Sequence, residues 1–68
     1  MHAIVTANNQ QVEVPVPCTL KVFLESCGLH AGAVVVEMNG SAVSPSEFSS
    51  IEIHDGDCFE IVHVVAGG

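Results

Sequence analysis

The 68-residue chain predicts an α+β fold: one helix packed across a mixed sheet. Three observations predict it. Short β-prone segments separated by turn residues lie on both sides of a single stretch with helical spacing. Hydrophobic residues make up 49% and charged residues 13%, the balance of a compact globule rather than a disordered tail. A chain this short buries only about 60% of its unfolded surface, so it supports one modest core and no cleft between domains. Residues 1–68 are therefore read as one domain.

The first strand is AIVTA, Ala3 to Ala7, and Asn8-Asn9-Gln10 supplies turn chemistry because asparagine tolerates left-handed backbone angles. QVEVPV follows, with Val12, Val14 and Val16 on one face and Glu13 on the other, completing a hairpin. Pro15 and Pro17 end this strand, since proline cannot donate to a ladder. TLKVFLESCG is the helix. Thr19 caps its start, Leu20, Phe23, Leu24 and Cys27 form one apolar stripe, and Gly28 provides the left-handed residue that ends it. Ala33 to Met38 is a β-branched run that predicts a central strand buried on both faces. Asn39-Gly40 is a tight-turn signal, Ser41 to Val43 a short strand, and Pro45 its breaker. SEFSS reads as a loop or one tight helical turn, IEIHDGD as a second turn around Gly56, and CFEIVHVV as the last strand.

Composition excludes several functions. Eight acids oppose one base, Lys21, for a net charge of −7, which repels phosphate backbones and argues against nucleic acid as a partner. The acidity either serves solubility alone or steers the protein to a basic protein surface. No apolar run is long enough to span a membrane, and MHAIVTANNQ lacks the features of a signal peptide, so the expected location is cytoplasmic. Cys18, Cys27 and Cys58 cannot all pair within one chain, and reduced, partly buried thiols are expected. His54, Asp55, Asp57 and Cys58 cluster without a zinc or calcium spacing, so no metal site is expected. The many serines fit no nucleophile elbow, and Cys58 sits beside acids that disfavour its thiolate; the chain is not expected to be an enzyme.

The C-terminal fourteen residues, DGDCFEIVHVVAGG, resemble the terminal motif of the ThiS family, the sulfur carriers of thiamin biosynthesis. VEVP after the first hairpin and MNGSAV before Pro45 also fit, and the resemblance spans the whole chain in length and element order. Cys58 and the Asn8-Asn9 turn depart from the usual pattern. The resemblance implies the ubiquitin-like β-grasp fold with a flexible tail at residues 66–68. It further implies that a ThiF-type adenylyltransferase, using ATP and Mg, activates the Gly68 carboxylate. Sulfur from a donor system such as a cysteine desulfurase then yields a thiocarboxylate, which a ThiG-type thiazole synthase consumes. The carrier itself binds no cofactor. Three rival readings share the fold: the small subunit of molybdopterin synthase, a ubiquitin-like protein modifier, and a plain β-grasp binding module.

This chemistry gives the last residues their roles. Glycine has no Cβ, so Gly67 and Gly68 thread a narrow channel and leave the terminal carbonyl carbon unobstructed. If Phe59 and Ile61 face the core, then Glu60, Val62 and Val64 face outward. Together with Ala66 these three are the expected partner-binding residues. His63 falls on the core side and is expected to be structural.

Overall fold

The computed structural model describes residues 1–64. Its strands are β1 (His2–Ala7), β2 (Gln10–Pro15), β3 (Val34–Met38), β4 (Ser41–Val43) and β5 (Cys58–His63), with helix α1 (Leu20–Ser26) between β2 and β3. Two short 3-10 turns, Ala31–Ala33 and Pro45–Glu47, complete the described elements. The strands form one mixed sheet in the order β2-β1-β5-β3-β4. β1 and β5 run parallel, and every other neighbouring pair is antiparallel.

Both hairpins turn where asparagine was expected to turn them. Ala7 pairs with Gln10, leaving Asn8 and Asn9 as a two-residue loop at φ 50 and 68. Met38 pairs with Ser41 around Asn39 and Gly40 at φ 52 and 88. Positive φ at both loop positions gives the backbone twist that matches the flanking strands.

The Thr19 hydroxyl accepts from the Val22 N–H at 3.2 Å, capping α1 as expected, and Gly28 at φ 79 turns the chain away. Leu20, Phe23 and Leu24 are buried against Ala3, Val5, Val14, Val34, Val36, Phe48, Ile53 and Phe59. Each of the three contributes about 1.5–3 kcal/mol through burial. The rings of Phe23 and Phe59 lie 5.8 Å apart and tilted by 36°, joining the helix to β5.

The structure corrects three expectations. Cys27 is not part of the buried stripe; it is the C-cap residue of α1 and is exposed. Cys58 is also exposed, because it shares the outer face of the sheet with its β1 partner Thr6, so only Cys18 is partly buried. The run Ala33 to Met38 is not buried on both faces. Ala33 belongs to a 3-10 turn, and β3 alternates, with Val34 and Val36 buried and Val35 52% exposed. The single α-helix among the described residues covers one face only, so a β-branched run here does not mean two-sided burial.

Candidate functional site

β5 is the middle strand of the sheet, and it leads toward the C-terminus. Its alternation is the one expected. Phe59 is buried and Ile61 half-buried, whereas Glu60, Val62 and Val64 are exposed. Val62 and Val64 retain 59% and 48% exposure, too much for core residues. Ala66, Gly67 and Gly68, with the expected flexible tail, lie outside the described residues.

Strand pairing adds two residues that the sequence reading missed. Val35 lies directly opposite Val62, and Glu37 directly opposite Glu60. Directly paired residues share a face, so an apolar pair and an acidic pair sit side by side on the uncovered side of the sheet. The signal is present in the sequence as VVVEM, a pattern that fits one-sided as well as two-sided burial. Glu37 and Glu60 are like charges in direct opposition, an arrangement that is mildly destabilising by itself. The chain's one base, Lys21, is on α1, across the sheet from them. This face suits an apolar partner surface that brings a basic group.

Side chains from distant turns hold β5 in place. Asn39 donates its main-chain N–H to the Cys58 carbonyl at 2.8 Å, and its Oδ1 accepts from the Cys58 N–H at 3.0 Å. Asn8 makes a similar pair at Ile61, with Oδ1 accepting from N–H at 2.7 Å and Nδ2 donating to the carbonyl at 3.0 Å. The Asp-Gly-Asp turn anchors the strand's entry. Asp55 Oδ1 accepts from the Ile4 N–H at 2.7 Å, and the Gly56 N–H donates to the Ile4 carbonyl at 2.9 Å. Asp57 Oδ2 accepts from the His54 N–H at 2.7 Å and its Oδ1 from Asn39 Nδ2 at 3.3 Å. Gly56 sits between them at φ 88, where a side chain would be strained. These acids thus bind main-chain donors, a structural use beyond that of a simple turn.

No polar side chain is buried among the described residues. Nor does any group of three or more His, Cys, Asp or Glu converge there as metal ligands would. His63 lies on the helix side of β5 but is exposed, bordering a shallow depression with Asn8, Val12, Cys27, Leu29 and Ile61. Burial pushes the Cys18 thiol above its ordinary value. No described helix is long and apolar enough to cross a membrane. Among the described residues the arrangement offers an outward face and a braced strand.

The model of the ThiS family matches residues 3–68. No curated protein matches the chain. Among solved structures, the thiamine biosynthesis protein (ThiS) from Geobacter metallireducens superposes with a TM-score of 0.79. The two are 25% identical, over 96% of this chain and 99% of that one. The β-grasp architecture expected from the sequence is the one both share.

Proposed function

The chain belongs to the ThiS family, and from that premise we propose that it is a sulfur carrier whose Gly68 carboxylate is the working group. The observation that carries the reading is the family match running through the Gly-Gly end, joined to a middle strand with an outward face. A carboxylate is a poor electrophile. A ThiF-type adenylyltransferase, with its own ATP and Mg, makes the Gly68 acyl-adenylate and releases pyrophosphate. The persulfide of a cysteine desulfurase or similar donor then attacks the carbonyl carbon, AMP leaves with the bonding pair, and a thiol reductant cleaves the S–S bond of the acyl disulfide, releasing the donor's thiol. The resulting thiocarboxylate gives its sulfur to a ThiG-type thiazole synthase for the thiazole ring of thiamin.

This chain contributes presentation, and the partners contribute catalysis. Val62 and Val64, extended by Val35, form the apolar contact beside the tail. Glu60 and Glu37 favour partners with basic groups at that position. Ala66 and Gly67 thread the partner's channel, where the missing Cβ of glycine admits a close backbone approach. Three thiols, none bridged, suit a reducing cytoplasm.

The test is intact and fragment mass spectrometry after incubation with ATP, Mg, a ThiF-type enzyme and a sulfur donor. Replacement of one oxygen by sulfur at Gly68, discharged by thiazole synthase, is the expected result. Fragmentation must place the change on Gly68, because oxidation of Met or Cys adds a similar mass. Discharge only by a pterin-converting enzyme would reassign the carrier to molybdopterin synthesis. An unmodified Gly68 beside an active partner would overturn the carrier reading.

A further inference from the structure

β1 stops pairing with β5 before β5 ends, and one side chain makes up the difference. The last paired residues are Ala7 and Phe59. At Asn8, φ 50 turns the main chain into the hairpin. The Asn8 N–H still donates to the Phe59 carbonyl at 2.9 Å. In a continuing parallel ladder, the Asn8 carbonyl would next accept from the Ile61 N–H. The N–H two residues on would then donate to the Ile61 carbonyl. The turn removes both main-chain groups from that line. The Asn8 carboxamide takes both places, with its 2.7 Å acceptance and its 3.0 Å donation at Ile61.

β5 is thereby held on both edges almost to the end of the described chain. On the other side, His63 pairs with Val34, and the Val64 N–H donates to the Ala33 carbonyl at 2.8 Å. We infer that Asn8 is a positioning residue for Gly68: its carboxamide is a surrogate ladder rung that fixes the strand from which the tail departs. The inference rests on the carrier reading. Val64 and Gly68 are four residues apart, at most about 14 Å of extended chain. With so short a lever, the direction of the strand's end decides where the carboxylate can reach. Loosening Ile61 adds orientations that must be frozen out before the carboxylate meets the α-phosphorus of ATP. Docking through Val35 and Val62 does not need the Asn8 amide, so the cost falls on turnover rather than on encounter.

Two variants separate this role from the turn itself. Asn8→Gly keeps the positive φ without steric cost and deletes the amide, at the expense of added backbone freedom. Asn9→Gly, at φ 68, alters the same turn without touching the Ile61 contact and is the control. Amide exchange at Ile61 and steady-state adenylation by a ThiF-type enzyme are measured well below each variant's melting temperature. Asn8→Gly is expected to speed Ile61 exchange and lower kcat about tenfold each, with KM changed by less than about twofold. Asn9→Gly leaves both readouts near wild type. Faster Ile61 exchange with unchanged kcat would make Asn8 merely structural and overturn the inference, as would equal losses in the two variants. If the wild-type chain is not adenylated, the carrier reading fails first and takes this inference with it. The two failures are distinguishable, because the second requires an active wild type.

Discussion

Replacing Glu60 with lysine should stabilise the fold and impair docking at once. Glu60 lies directly opposite Glu37, and the flanking bonds from Asn39 to Cys58 and from Val64 to Ala33 put it in a hydrogen-bonded pair. Such pairs have Cα atoms about 5.5 Å apart. Exposed carboxylates held about 6 Å apart in water repel by about 0.7 kcal/mol. Glu60→Lys removes that repulsion and substitutes a comparable attraction, less the entropy of holding two long side chains together. The net gain is about 1 kcal/mol, at the upper end of single cross-strand pair effects. For a domain of this size that raises Tm by about 4–8 °C. Thermal unfolding followed by circular dichroism in low-salt buffer reads the change directly. Raising salt to about 0.5 M should erase most of the difference, because the screening length then falls below the pair separation. The same variant should raise KM for the adenylating enzyme by weakening its hold on a basic partner surface. A Tm unchanged in low salt would refute the argument from direct opposition, and an unchanged KM would remove the acidic pair from the docking face.

The core and the turns give further expectations. Leu24→Ala, at a position only 1% exposed, should cost about 2–5 kcal/mol by denaturant titration, a large share of so small a domain's stability. Asp57→Ala strips acceptors from the His54 N–H and from Asn39 Nδ2. It should destabilise the fold by about 1–2 kcal/mol and speed amide exchange at His54. Iodoacetamide should label Cys18 more slowly than the exposed Cys27 and Cys58, as peptide mapping over time would show. Because burial raises the folded Cys18 value, its neutral thiol supports stability below the unfolded thiol value. That support is lost as pH rises through the folded one, so stability should decline slightly across the alkaline range.

Local chemistry made much of this molecule readable in one dimension. The Asn8-Asn9 and Asn39-Gly40 turns, the Thr19 cap, the Gly28 stop and the alternation of Phe59, Glu60, Ile61 and Val62 all follow from residues within a few positions of one another. The outward-facing residues on β5, Glu60 and Val62, and Val64 just beyond it, were legible for the same reason. What stayed hidden depends on neighbours far away in the chain. VVVEM is apolar enough for two-sided burial, and only the placement of α1 on one face leaves Val35 exposed beside Val62. Glu37 and Glu60 are 23 positions apart and became a pair only through register. The Cys27 stripe position fell past the end of the helix, where the core no longer reaches. Asn8 and Asp55 looked like turn residues, yet their side chains hydrogen-bond main-chain groups 53 and 51 positions distant. A sequence by itself determines which residues can turn, cap or alternate, because those are short-range steric and hydrogen-bonding preferences. Which unpaired backbone groups are left for a side chain to satisfy is settled only when the strands meet, since their registers decide where each ladder runs out.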